Sequence, residues 1–164
     1  PKRIFIVGNL KEVSFDLPIL PDEIVGLNDE RRRASIIGLY AALSNAKANW
    51  AAVLACDLPF ASGELFCKLA SFRDEKIDAI VPMQIDEMAQ PLCALYRTAG
   101  CLPVVETMLY DGGDWSLRNL LRRVETRFVR FDEISRLRRA EYFFLNVNTP
   151  DDYAKAQAAL AKTL

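Results

Sequence analysis

Apolar residues follow two alternating patterns along the chain. Short apolar runs, several of them rich in β-branched and aromatic side chains, predict strands, and segments with apolar residues every three or four positions predict helices. The predicted strands are residues 3–8, 50–56, 78–83, 90–96, 126–131 and 141–148, and we expect the first two to be buried. The predicted helices are residues 35–47, 102–110, 115–123 and 149–163, and one more helix begins after Ser62.

Residues that favour helix ends support these boundaries. Ser62 and Thr149 are predicted N-caps, because their side-chain oxygens can accept hydrogen bonds from the first free amides of a helix. Pro103 lies near the predicted first turn of the helix at residues 102–110, and Gly112 follows its end. Because strands alternate with helices and several strands are apolar throughout, we expect a mostly parallel mixed sheet covered on both faces. The fold prediction is α/β, a single three-layer domain over residues 1–164.

Composition and charge argue against nucleic-acid binding and membrane association. The chain has 164 residues, of which 51% are hydrophobic, and this suits one domain with one core. It carries 21 lysines and arginines against 22 acidic residues, so its net charge gives no reason to expect nucleic-acid or membrane binding. No apolar run is long enough to span a bilayer, and we expect no signal peptide.

The side chains available for chemistry are limited. The chain has no histidine and no Cys-x-x-Cys pair, so a zinc site and imidazole catalysis are not expected. All four cysteines lie in apolar stretches, which suits reduced core thiols in a cytoplasmic protein. An enzyme of this sequence must therefore work through carboxylates, basic side chains, amides, the backbone or a metal.

One carboxylate follows a predicted strand at a place that suits catalysis. In "LACDLPF" (residues 54–60), Asp57 comes directly after the strand at residues 50–56, and Pro59 forces the chain to turn. Ligands of open α/β sheets bind beyond the carboxyl ends of strands, and a carboxylate there can hold Mg²⁺ against phosphate oxygens. Asp57 could equally shape the turn through its own backbone contacts. This stretch alone leaves both interpretations open.

Three segments, in order, resemble the MobA-type molybdenum cofactor guanylyltransferases. They are "ACDLPF" (residues 55–60), "QPLCALY" (residues 90–96) and "FLNVNTPDDY" (residues 144–153). The segment "ASIIGLYAAL" (residues 34–43) is similar to the start of that family's Gly-Pro-Leu-Ala-Gly helix, with Ala34 and Ser35 in place of Gly-Pro. The resemblance implies a Rossmann-like nucleotidyltransferase fold.

The same resemblance implies an activity and a set of site residues. It implies transfer of GMP from GTP to molybdopterin, with Mg²⁺ and with release of pyrophosphate. Asp57 matches the family's metal-binding, catalytic aspartate, and Asn146 and Asn148 match its asparagines on the pterin side of the cleft. Asp22 matches an acidic position ahead of the Gly-Pro-Leu helix. The implied partners are GTP, molybdopterin and proteins of molybdoenzyme maturation.

The family's opening loop has no counterpart in this sequence. That loop, Leu-Ala-Gly-Gly-x-Ser-x-Arg-Met-Gly followed by a lysine, cradles the triphosphate, and residues 1–3 resemble the lead-in to the family's second strand. The family's first strand is central, so we expect unpaired sheet edges and an exposed apolar groove. We favour a native protein with a further N-terminal segment. The alternatives are a segment from another chain or a catalytically silent nucleotide- or cofactor-binding module serving a partner. For the activity itself, a relative that uses CTP or another phosphorylated acceptor is a further alternative.

The arginines are concentrated late in the chain. Eight of the fourteen lie at positions 118, 122, 123, 127, 130, 136, 138 and 139. They could form an anion patch for the pterin phosphate or for an acidic partner. The interpretation we favour is a solvated basic face that is balanced by neighbouring acids such as Asp132 and Glu133.

Overall fold

The structure is a computed structural model and describes residues 4–8, 16–21 and 34–161. The chain divides into two compact units, the first formed by residues 1–51 and 96–125 and the second by residues 52–95 and 126–164. Strands and helices alternate, so the α/β prediction is confirmed. None of the helices in the described ranges is both long and apolar enough to cross a lipid bilayer.

The strands and helices are numbered here in chain order. The strands are β1 (Ile6–Val7), β2 (Ile19–Leu20), β3 (Trp50–Leu54), β4 (Ala79–Pro82), β5 (Cys93–Arg97) and β6 (Thr126–Val129). The helices are α1 (Ser35–Asn45), α2 (Gly63–Ala70), α3 (Thr98–Asp111), α4 (Leu117–Arg123), α5 (Phe131–Ile134) and α6 (Pro150–Ala161), with a 3₁₀ turn at Ala140–Tyr142.

The first unit is built around two packed helices. α1 and α3 contact each other, and the short strands β1 and β2 pair in parallel. The predicted helix at residues 102–110 begins four residues too late, because β5 leads directly into α3 with Arg97 as its N-cap. Pro103 consequently lies in the second turn. The helix ends, as predicted, at Gly112, which adopts the left-handed conformation with φ of 68°.

The second unit contains most of a mixed sheet with strand order β3-β5-β4-β6. β4 and β6 run parallel, from Ala79 opposite Thr126 to Pro82 opposite Val129, and every residue of β4 is buried. β3 and β5 run antiparallel, since the amide of Ala55 donates to the carbonyl of Leu92 at one end of the pair. The sheet is therefore mixed, as predicted.

Two strand predictions were wrong. β3 was expected to be buried, but it is the edge strand of the four-stranded sheet, and the side chain of Leu54 is 47% exposed. Residues 141–148 were expected to start as a strand, but they form the 3₁₀ turn and an irregular segment. The amides of Tyr142 and Leu145 donate to the nearby carbonyls of Arg139 and Tyr142, so this part of the segment forms a turn and not a strand ladder.

Candidate active site at the end of β3

Asp57 lies three residues beyond the end of β3, in a turn whose hydrogen bonds are made by the backbone. The amide of Leu58 donates to the carbonyl of Ala55 (3.4 Å), and that of Ala61 donates to the carbonyl of Leu58 (3.3 Å). Asp57 is half-buried, and its carboxylate makes no hydrogen bond or ion pair with any residue that the structure describes. The turn therefore forms without its side chain, which leaves the carboxylate oxygens available to a ligand.

One backbone hydrogen bond joins the Asp57 turn to the predicted asparagines. The amide of Val147 donates to the carbonyl of Asp57 over 2.9 Å. Val147 stands between Asn146 and Asn148, which are both exposed, and their side-chain amides have no partner within the described ranges. The structure thus brings together three of the four predicted site residues. The fourth, Asp22, lies outside the described residues.

The start of α6 fixes the position of Asn148. The carboxylate of Asp152 accepts hydrogen bonds from the amides of Asn148 (3.3 Å) and Thr149 (3.1 Å) and from the Thr149 hydroxyl (2.8 Å). Thr149 Oγ1 accepts in return from the amide of Asp152 (3.2 Å), which confirms the predicted N-cap. The hydrogen bonds from Thr149 and then from Asn148 lower the pKa of Asp152 below its usual range.

The donor set at this site fits a magnesium ion bound through few protein ligands. Within residues 4–8, 16–21 and 34–161, no three acidic or thiol side chains are grouped so that they could hold a metal. Mg²⁺ commonly takes only one or two carboxylates and completes its shell with water and substrate phosphates. The uncommitted carboxylate of Asp57 suits that pattern.

A cavity of about 760 Å³ lies in the second unit, next to the same two segments. Cys56 and Val147 line it, whereas the neighbouring site residues Asp57, Asn146 and Asn148 do not. The remaining walls come from the residues leading into α2, from the pair Arg138–Arg139 and from one face of α6. Because no sequence pattern connects these distant segments, the prediction missed this cavity.

The arginines divide into paired and unpaired groups. Arg127 bonds to Glu133 (2.6 Å), and its guanidinium carbon lies 5.2 Å from the ring centroid of Phe72. Arg130 pairs with Asp132 (3.4 Å). These pairs agree with the interpretation of a balanced basic surface. Arg138 and Arg139, by contrast, make no side-chain hydrogen bond or ion pair with the residues described.

The cysteines differ from the prediction of four core thiols. Cys93 and Cys101 are buried, but Cys56 and Cys67 are exposed, and none of the four forms a disulfide. Burial raises the pKa of the Cys93 thiol to about 12. Cys56 is exposed because it follows an edge strand, and the apolar residues around it in the sequence gave no sign of that position.

Comparison with known proteins identifies the family. The family described as "MobA-like NTP transferase domain" matches residues 1–127. A Geobacillus sp. protein named "Probable molybdenum cofactor guanylyltransferase" is 31% identical over 133 residues, 80% of this chain. A Desulfosudis oleivorans protein named "Molybdenum cofactor guanylyltransferase" is 33% identical over 132 residues, 78% of this chain. The matched regions are 65% and 62% of those two proteins, respectively, so this chain spans less than two thirds of either.

A solved structure shares the fold. It is molybdopterin-guanine dinucleotide biosynthesis protein A from Archaeoglobus fulgidus, with a TM-score of 0.72 and 23% identity over 90% of this chain and 70% of that one. The fold is therefore the Rossmann-like fold of nucleotidyltransferases. From the family match and the similarity to these relatives, the chain belongs to the MobA-like NTP transferase domain family.

Proposed function

We propose that this chain carries the nucleotidyltransferase chemistry that moves GMP from GTP to molybdopterin and releases pyrophosphate, with Mg²⁺. Its membership of the MobA-like family supports this, and so do the names of two relatives. The observation that carries the proposal is the uncommitted carboxylate of Asp57, in the turn beyond β3 and joined to the asparagine segment.

Asp57 would hold the magnesium ion, and this ion would neutralise charge on the transferring phosphate. The attacking group is a phosphate oxygen that is already anionic, so the reaction needs positioning and charge stabilisation more than a proton acceptor. A chain without histidine can meet that requirement. The amides of Asn146 and Asn148 can both donate and accept, which suits orientation of the pterin or its phosphate. We propose Asp22 as a further substrate-binding acid.

The test is Asp57→Asn, which keeps the size of the side chain and removes its charge. We expect GMP transfer to fall by about 100-fold or more, because an electrostatic group at the reacting phosphate is lost. The matched control is Asp74→Asn, in the exposed turn after α2, which should leave the rate unchanged. The assay follows pyrophosphate release and formation of the guanine dinucleotide. An unchanged rate in Asp57→Asn would refute the role of Asp57.

Calorimetric titration with GTP and Mg²⁺ separates lost binding from lost chemistry. If the full-length native protein binds GTP but shows no transfer, it is the silent binding module that the sequence left as an alternative. If it binds CTP and transfers CMP instead, it is the CTP-using relative. Either result would replace guanylyl transfer as the function, whatever the outcome for Asp57→Asn.

The proposed activity also implies a cellular compartment and a set of receiving proteins. We propose that the protein works in the cytoplasm and passes its product to proteins of molybdoenzyme maturation. Four cysteines without a disulfide suit a reducing compartment. Retention of the product on an apo-molybdoenzyme or its maturation partner in a pull-down would support the second part.

A further inference from the structure

The segment "QPLCALY" (residues 90–96) resembles the family, but none of its residues has a role in the reaction proposed above. Its last four residues, Cys93 to Tyr96, belong to β5 and are all buried, so packing in the core accounts for their apolar side chains. Gln90 comes before the strand and is polar, so core packing does not account for it. Gln90 is therefore the residue of this segment whose role is open.

Gln90 lies at the same edge of the sheet as Asp57. β5 is antiparallel to β3, and the hairpin that joins it to β4 is closed by an antiparallel bridge, so β3 and β4 end at one edge. The amide of Gln90 donates to the carbonyl of Pro82, the last residue of β4, over 2.9 Å. Two residues later, the carbonyl of Leu92 accepts from the amide of Ala55 beyond β3 (2.7 Å). Neighbouring strands lie about 4.8 Å apart, a distance that a glutamine side chain can cross.

The backbone of Gln90 is held at both of its polar groups. Its amide bonds to Pro82, and its carbonyl accepts from the amide of Cys93 (3.0 Å). The next residue is Pro91, whose ring clashes with a helical conformation of the residue before it and so restricts Gln90 to extended backbone. These constraints fix the direction in which the side chain leaves the chain. A group that is positioned in advance in this way suits the orientation of a substrate.

The side-chain amide of Gln90 is uncommitted. It makes no hydrogen bond with any residue in the described part of the chain, and the residue is half-buried. Among the residues described, the one buried side-chain nitrogen or oxygen without a partner is Arg139 Nε, so the amide of Gln90 remains open to solvent. Its donor and its acceptor are both available to a ligand at this edge of the sheet.

The segments around Asp57 supply no cationic side chain for a phosphate. Residues 54–62, 83–96 and 140–149 contain neither lysine nor arginine. Asp57 would hold magnesium on one side of the transferring phosphate, and hydrogen-bond donors aimed at the other oxygens would stabilise their charge. The Nε2 group of a glutamine is such a donor, and it has no charge that repels the metal.

We propose that Gln90 is a catalytic residue that donates a hydrogen bond from Nε2 to an oxygen of the transferring phosphate. The inference rests on the proposed nucleotidyl transfer and adds a residue to it. In that reaction an oxygen of the acceptor phosphate forms the new bond to phosphorus, and pyrophosphate leaves with the electron pair of the broken bond. Gln90 keeps its proton throughout and acts only through the hydrogen bond.

Calorimetric titration of the full-length native protein tests this contact without the transfer reaction. Gln90→Glu keeps the size of the side chain and puts a carboxylate against the phosphate. We expect its affinity for GTP with Mg²⁺ to fall at least about tenfold, as for the loss of a hydrogen bond to a charged group. Its affinity for guanosine, which has no phosphate, should not change. Parent-like affinity of Gln90→Glu for GTP, or an equal loss with guanosine, would overturn the contact.

Gln84→Glu is the matched control for the added charge. Gln84 belongs to the same hairpin but lies at its tip, beyond the bridge between Met83 and Ala89. The variant should bind both GTP and guanosine like the parent. Both Gln90→Glu and Gln84→Glu should keep the parent's midpoint in urea, because the hydrogen bonds that hold these residues are made by their backbones. Loss of GTP binding in Gln84→Glu equal to that in Gln90→Glu would show a general charge effect and refute the proposal.

Steady-state kinetics identify the substrate group that Gln90 contacts. Gln90→Ala should lower kcat for GMP transfer by about tenfold or more and leave the KM for molybdopterin near that of the parent. A raised KM for molybdopterin with an unchanged kcat would place Gln90 on the acceptor and refute its assignment to the transferring phosphate. If the parent binds GTP but transfers no GMP, the proposed function fails and with it the catalytic role of Gln90, while the titration of Gln90→Glu still decides the phosphate contact. A parent that binds no GTP would overturn both.

Discussion

Replacing Phe143 by alanine tests how the segment that carries the asparagines is held. Phe143 is fully buried, and its ring meets that of Phe144 edge-on, with centroids 6.3 Å apart. This segment has no strand ladder over residues 141–148, so burial of this ring anchors it together with the hydrogen bond from the Val147 amide to the Asp57 carbonyl. Removing a buried phenylalanine costs about 3–5 kcal/mol of unfolding free energy through lost burial and the cavity left behind.

The assay is urea denaturation followed by circular dichroism. For a slope of about 1–3 kcal/mol per molar urea, the midpoint should fall by roughly 1–5 M. The matched control is Phe128→Ala in β6, where the ring is 38% exposed and the loss should be clearly smaller. The reasoning is refuted if Phe143→Ala costs less than about 1 kcal/mol, well below the range for buried aromatic rings, or no more than Phe128→Ala.

Three smaller predictions follow from local geometry. Thr149→Ala should lower the unfolding free energy by about 1 kcal/mol in the same urea assay, because the N-cap of α6 is lost, and an unchanged midpoint would contradict that cap. Cys56 should react with Ellman's reagent in the native protein at pH 8. Burial raises the pKa of the Cys93 thiol to about 12, so Cys93 should react only after unfolding. Rapid labelling of Cys93 in the native protein would count against its burial. Gly112→Ala should lower the unfolding free energy by about 1–2 kcal/mol, because Gly112 has a φ of 68°. Gly113→Ala should leave the unfolding free energy nearly unchanged, because a Cβ there would meet open space. Equal shifts of the melting temperature in the two variants would contradict the left-handed cap.

The sequence predicts best where local chemistry decides the structure. The N-caps at Ser62 and Thr149 and the end of α3 at Gly112 are all confirmed, since each depends on residues within one helical turn. β4 is buried throughout, as its unbroken apolar run indicates. These features need no knowledge of distant contacts.

The wrong predictions concern features that distant parts of the chain decide. β3 has the apolar composition of a buried strand, but it stands at the edge of the four-stranded sheet. Strand order is a property of the whole fold and leaves no mark on the strand's own residues. The segment 141–148 likewise has residues that favour strands. The left-handed Arg139 instead starts a 3₁₀ turn, in which the amides of Tyr142 and Leu145 bond to nearby carbonyls. Nothing in "RLRRAEYFF" (residues 136–144) signals a positive φ at an arginine.

Backbone atoms, and not their own side chains, position the residues of the candidate site. The carbonyl of Asp57 and the amide of Val147 join the two segments, and the carboxylate of Asp152 holds the backbone of Asn148. Backbone atoms therefore fix the positions, and the side chains of Asp57 and Asn148 remain available to a ligand. A substitution that keeps size, such as Asp57→Asn, should for this reason change chemistry without changing stability. The turn interpretation of Asp57 requires the opposite, because a side chain that shapes its own loop cannot be replaced without loosening that loop.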